Sequence, residues 1–193
     1  MKKRKYVIMF IVVIATLLVY LSINKLININ NYNSVYFTSK ESSIISDKDL
    51  QENNILEVNS LEKLKSEVKS LNKNVGIILD KNIIDEGNDI NSLTQWLIEQ
   101  KNSPIIVVGY GNPNYVYFKR LSISENKYLP KITDEKFEEL KNQKGFCMAY
   151  ICSDGKIYGK SFTEEINTSK IMKIVNEALK GENNVTKMFG EES

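Results

Sequence analysis

A chain of 193 residues, 42% hydrophobic and 26% charged, has the length for one globular domain with an appendage. It contains no histidine, which excludes Ser-His-Asp and Cys-His nucleophile chemistry and every histidine-ligated metal site. The net charge of +2 owes its sign to Lys2, Lys3, Arg4 and Lys5; setting those four aside leaves 22 basic residues against 24 acidic ones, too few for the basic face of a nucleic-acid binder.

Behind that basic stump (residues 1–5), residues 6–24 carry no charge and are almost entirely Val, Ile, Leu, Met, Phe or Tyr. As a helix, ~19 residues rise roughly 28 Å, close to the thickness of the hydrocarbon core of a bilayer. A secretory signal would have a shorter apolar core and small residues at a cleavage site, whereas this segment ends Leu18-Val19-Tyr20-Leu21-Ser22-Ile23. The pattern predicts an uncleaved transmembrane helix that holds the chain in the lipid bilayer. The basic residues before it, against Lys25 alone close behind, place the N-terminus in the cytoplasm and the body outside. Residues 25–33 are Asn-rich and are expected to form a stalk.

Residues 34–181 are expected to fold as one extracytoplasmic α/β domain. A short strand candidate, Val35-Tyr36-Phe37-Thr38, precedes a polar segment that ends at Asn54. A β-α-β unit follows: a strand over 55–58, a helix capped by Ser60 with Leu61, Leu64, Val68 and Leu71 on one face, and a strand over 75–79 ending at Asp80. The pattern repeats, with Ile90, Leu93, Trp96 and Leu97 on a helix face and Pro104 introducing a strand over 105–108. Continuous apolar strands separated by amphipathic helices predict a mostly parallel sheet in a three-layer arrangement.

The next segment, Gly109-Tyr110-Gly111-Asn112-Pro113, leaves that strand. Asn112 suits an N-cap and Pro113 a first helical position, so a helix is expected to carry Tyr115, Phe118 and Leu121 toward the sheet. Helix N-termini at the carboxyl end of such a sheet favour anions. The dinucleotide fingerprint would need a third glycine where Asn114 stands, so the glycines serve a backbone turn at least as readily as a ligand.

Further on, Thr133 is placed to cap a helix reaching Gly145, with Ile132 positioned to staple onto Phe137. Residues 146–152 and 157–162 flank Ser153-Asp154-Gly155-Lys156, a strong hairpin signal. A helix bearing Ile171, Ile174, Val175, Ala178 and Leu179 on one stripe stops at Gly181, and residues 182–193 read as a loose polar tail.

This wiring resembles two known schemes. The first units resemble a receiver-type, flavodoxin-like domain, in which Asp80 would accept phosphate; the closing hairpin and helix are similar to the end of thioredoxin-like folds. A phosphoacceptor has no partner chemistry outside the cytoplasm, and the Cys-x-x-Cys of a dithiol oxidoreductase is missing, so the resemblance implies wiring alone.

The candidate contacts for a ligand or partner are therefore Asp80, Gly109, Tyr110, Gly111, Asn112 and Tyr115. Asp80, Asp85, Glu86 and Asp89 form an acidic group on the loop expected after the strand over 75–79, but Gly87 is out of register with a calcium loop, and acidic residues gather before helix starts in any case. Lys119 and Arg120 complement the carbonyl end of the third expected helix. Cys147 and Cys152 would lie ~16 Å apart on opposite faces of one strand, too far for a disulfide. No cofactor and no metal site is expected. The favoured function is a tethered, non-enzymatic module that binds a membrane or envelope protein partner or a small ligand. The alternative is an envelope enzyme using carboxylates near Asp80 with the Gly109 loop.

Overall fold

The structure is a computed structural model that describes residues 10, 13–19, 32–39, 41, 43–86, 89–123, 133–163 and 165–190. The chain divides into two compact units, Met1–Tyr32 and Asn33–Ser193, taken separately here. Most of the expected span over 6–24, and the expected stalk up to residue 31, lie outside the described residues. Residues 13–19 are helical, and the side chains of Leu17, Leu18 and Val19 are exposed. Among the described residues no helix is long and apolar enough to cross a membrane.

The second unit is a mixed α/β fold around a six-stranded sheet. Its elements are β1 (Ser34–Phe37), α1 (Asp47–Glu52), β2 (Ile55–Val58), α2 (Leu61–Leu71), β3 (Gly76–Asp80), α3 (Lys81–Glu86), α4 (Ile90–Glu99), β4 (Pro104–Val108), a π-helix (Asn114–Arg120), α5 (Asp134–Lys141), β5 (Phe146–Ile151), β6 (Ile157–Phe162), α6 (Thr168–Ala178) and α7 (Glu182–Gly190). The strands lie in the order β2-β1-β3-β4-β5-β6. The first four are parallel, while β5 runs antiparallel to β4 and β6 antiparallel to β5.

Side chains alternate across a strand, so each sheet face collects every second residue. Tyr36, Ile78, Ile106 and Met148 share one face and pack with Ile171, Val175 and Ala178 of α6 and Val185 of α7. The alternate residues Ile77, Leu79, Ile105 and Val107 are equally buried, so the other face is covered too. That double cover is why these strands read as unbroken apolar runs. The caps follow the sequence: Ser60 accepts the Lys63 N–H at 3.2 Å, and Thr133 accepts the Lys136 N–H at 3.3 Å. Ile132, the other half of the expected staple, lies outside the described residues. The hairpin forms, with Ile151 opposite Ile157, but not through a two-residue Asp-Gly turn: the Gly155 N–H reaches the Cys152 carbonyl at 3.0 Å, Gly155 takes φ +89 and the Cys152 N–H reaches the Lys156 carbonyl, which makes a three-residue loop.

Three expectations need correction. The segment after β3 is a helix, α3, rather than an acidic loop: Ile83 and Ile84 are buried and hold it against the sheet. Residues 182–193 do not form a loose tail throughout, because 182–190 make α7, anchored by fully buried Val185 and by Met188 and Phe189 packed on the core. The helix after Pro113 is a π-helix, in which the Leu121 N–H reaches the Val116 carbonyl at 2.8 Å. Its wider turn buries Tyr115, Val116, Tyr117 and Leu121 and leaves Phe118 half-buried, so the inward face is not the one α-helical spacing gives.

Candidate functional site

In an open α/β sheet, ligands bind outside the carboxyl ends of the strands where successive connections leave in opposite directions. Here that point lies between β1, which connects outward to β2, and β3, which connects the other way to β4. Asp80 ends β3 at this point and is 1% exposed. Its carboxylate accepts three hydrogen bonds: from the Tyr36 hydroxyl on β1, from the Ile44 N–H at 2.9 Å and from the Asn82 N–H at 3.0 Å. Asn82 ties the same region together, donating to Thr38 Oγ1 at 3.2 Å and accepting the Ser39 N–H at 3.3 Å. The segment after β1 is thereby laced over the crevice.

Burial is the first cause, and the bond to Asp80 the second, that pushes the Tyr36 phenol up to about 12. Tyr36 therefore stays protonated and donates. A general base must come within hydrogen-bond reach of a substrate proton. Asp80 instead spends its acceptor capacity on its own chain.

The Gly109 loop is used in the same way. Gly109 adopts φ +92, which a β-branched side chain would resist, and its N–H donates to the Gly145 carbonyl at 2.9 Å. The Gly111 N–H donates to the Gln143 carbonyl at 2.9 Å, and a Cβ at Gly111 would collide with the Lys144 carbonyl oxygen. Asn112 caps the π-helix by accepting the Asn114 N–H at 2.9 Å, and its Nδ2 donates to Gln143 Oε1 at 3.1 Å. The donors that would cradle an anion thus already hold the loop that leads into β5.

Tyr110 is fully buried and donates to Asp85, while the Tyr115 ring lies 5.3 Å from its own and Lys81 Nζ sits 4.7 Å from its centroid. Burial, then the Asp85 bond, pushes the Tyr110 phenol far up. Tyr110 and Tyr115 therefore act as one packed pair. Asp80 lies opposite Val108 across the β3/β4 ladder, one residue from the loop. The six candidates are brought to one end of the sheet, but their polar groups serve the fold. The acidic group is dispersed: Asp85 pairs with Tyr110, exposed Asp89 caps α4 through the Ser92 N–H at 3.1 Å, and Glu86 is exposed.

Cys147 and Cys152 are both free and buried. Cys152, Asp154 and Glu182 have their ligand atoms within 4.8 Å of one another, the geometry of a possible cation site. Burial followed by the Glu182 hydrogen bond pushes the Cys152 thiol up to about 11, so without a cation it stays a protonated, packed thiol.

Among the described residues, concavities also lie elsewhere. One of about 500 Å³ separates the π-helix from α5, with Lys119 Nζ 4.5 Å from the Phe137 ring. Another, about 610 Å³, opens between the carboxyl ends of α2 and α4, at the opposite end of the sheet from Asp80. Sequence reasoning missed this second one, although Lys65, Lys69 and Lys73 at spacings of four were visible on one helix face and its end. No protein-family model matches the chain, and no curated protein or solved structure matches it.

Proposed function

We propose that this chain is a non-enzymatic binding module, tethered by a transmembrane helix over 6–24, with its α/β body outside the cytoplasm and engaging an envelope partner or small ligand. The tether and its orientation are supported by the uncharged run 6–24 behind Lys2, Lys3, Arg4 and Lys5. The strand order β2-β1-β3-β4 favours flavodoxin-like over thioredoxin-like wiring. The observation that carries the non-enzymatic half is the saturation of Asp80 by Tyr36, Ile44 and Asn82. An envelope enzyme built on Asp80 and the Gly109 loop would first have to strip those donors away, at a cost of about 1–3 kcal/mol for each group left unpaired.

The experiment is copurification of the full chain from gently solubilised membranes, with parallel deletion of residues 1–5, 6–24 or the body. Specific association that is lost with the body, and surface protease reaching the body in intact cells, is the expected result. A chain recovered from the soluble fraction, or a body shielded until cells are lysed, refutes the tethered reading. Asp80→Asn and Gly111→Val variants address the enzyme: any substrate turnover abolished by Asp80→Asn in a folded chain would reinstate it.

A further inference from the structure

The cavity between α2 and α4 carries an excess of positive charge. Four lysines line it, Lys65, Lys69 and Lys73 from α2 and its end and Lys101 from the end of α4, against one carboxylate, Glu99. The macrodipole favours a cation in the last turn of a helix and accounts for Lys69 of α2, but not for Lys65 in the middle of that helix or for Lys101 beyond α4. Here cations from two elements converge on one concavity. Among the described residues none of Lys65, Lys69 and Lys101 forms an ion pair; Lys73 donates to Asn33 Oδ1 at 3.1 Å. In a body with more acidic than basic residues, such a group is a local reversal of sign.

The lining also includes Trp96, half-buried and the sole tryptophan of the chain. Gln100 Nε2 donates to the Trp96 carbonyl at 3.1 Å and so fixes the turn that carries the indole. A flat aromatic wall beside side-chain amides suits a hydroxylated ring, with an apolar face to stack and edges to hydrogen-bond. The charge can be typed as well. Arginine's planar fork matches carboxylates and phosphates alike, whereas each lysine is a point charge, and several point charges lining one concavity suit a multiply charged anion better than a single carboxylate. A phosphomonoester carries about −1.5 to −2 charges at neutral pH, which several ammonium groups neutralise together.

We propose that the cavity between the carboxyl ends of α2 and α4 binds a phosphorylated sugar, with Trp96 against the ring and Lys65, Lys69, Lys73 and Lys101 around the phosphate. At about 610 Å³ the cavity has the size of small-ligand sites. The ligand is either a free sugar phosphate or a polysaccharide unit that carries a phosphomonoester, which share this chemistry. The proposal rests on the reading of the chain as a binding module and names what that module takes.

The test uses the full chain in a neutral detergent without a sugar head group, reading Trp96 emission while glucose 6-phosphate, glucose 1-phosphate and a polysaccharide bearing phosphomonoester groups are titrated in. A saturable change is expected with at least one of them, and which one distinguishes free from polymeric ligand. Glucose, inorganic phosphate, glucuronate and adenosine monophosphate should each bind at least about tenfold more weakly, roughly 1.4 kcal/mol. The Lys69→Gln/Lys101→Gln chain should lose about tenfold in affinity with its unfolding midpoint unchanged.

No saturable change with any of the three phosphorylated ligands up to about 10 mM overturns the proposal. So does inorganic phosphate binding as tightly as they do, or tighter binding of the nucleotide. If membrane copurification finds a partner that the double-lysine variant still captures while sugar phosphates fail, this pocket is refuted and the module reading stands. If sugar phosphates bind and no envelope association exists, the reverse holds.

Discussion

Replacing Asp80 with asparagine tests whether the carboxylate at the end of β3 is there for the fold. The substitution keeps the shape but turns one acceptor oxygen into a donor. Asp80 Oδ2 receives the Tyr36 hydroxyl and the Ile44 N–H, and Oδ1 receives the Asn82 N–H. The best the amide can do is direct its oxygen at the first pair and face the Asn82 N–H with its own NH₂. One buried donor is then orphaned, at about 1–3 kcal/mol, and two bonds to a carboxylate become bonds to a neutral amide, losing about 0.5–1 kcal/mol each. The expected loss is about 2–5 kcal/mol, and Asp80→Ala should exceed it because all three donors lose their partner. Urea denaturation of the full chain, followed by Trp96 emission and far-ultraviolet circular dichroism, reads this as a midpoint lowered by about 1–2.5 M at an unchanged slope of roughly 2 kcal/mol/M. Tyr36→Phe should cost less alone, and combining it with Asp80→Asn should cost less than the sum, because the two share a bond. An Asp80→Asn chain as stable as its parent, or more stable, would refute the structural reading and return Asp80 to the list of groups kept at the expense of stability.

Three further outcomes follow from burial. The folded chain holds the Tyr36 proton up to about 12 while the unfolded chain releases it near 10, so the native state binds more protons between those values and stability falls as pH rises through them. The loss is about 2–3 kcal/mol, and Tyr36→Phe should flatten that part of an alkaline denaturation profile; an unchanged profile refutes the assignment. Cys147, pushed up by burial, and Cys152, pushed up to about 11, should both resist an aromatic disulfide reagent at pH 8 and react once urea is added; a rapidly titrated thiol in the folded chain contradicts their packing. Ending the chain after Gly181 uncovers the core around Val185 and removes the Phe189 ring, 5.4 Å from Tyr158, so stability should drop by about 2–4 kcal/mol, whereas an idle tail would leave the urea midpoint where it was.

Much of the sheet was legible because its strands are covered on both faces and so appear as runs such as Ile77-Ile78-Leu79 and Ile105-Ile106-Val107-Val108. Caps at Ser60 and Thr133 and the Asp-Gly hairpin were legible because each is a short-range preference of one or two residues. The insertion of β1 between β2 and β3 was not, since alternation names strands and never their neighbours. Helices α1 and α3, six residues each, are too short to show a period. For α7 the signal existed: Val185, Met188 and Phe189 stand at helical spacing, masked by the polar residues around them. The π-helix has no comparable signature, because its register depends on Tyr117, whose hydroxyl sits 2.8 and 2.9 Å from the carbonyls of Ile105 and Cys147 on two different strands. Asp80 was conspicuous at a strand end, but the partners that occupy it arrive from 36 and 44 positions away.

The two margins of the sheet are guarded in different ways. On one side β2 is four residues long and carries Glu57, half-buried, near its middle. On the other, α7 packs beside β6, and Lys160 of that strand donates to the Met188 carbonyl. Short length, a charge and a covering helix are the devices by which natural sheets discourage another chain from adding a strand. Under the proposed tether, molecules fastened side by side to one lipid surface would collide far more often than free ones, and an unguarded ribbon would invite stacking. A sheet finished in this manner can be crowded, its copies touching through side chains that part again.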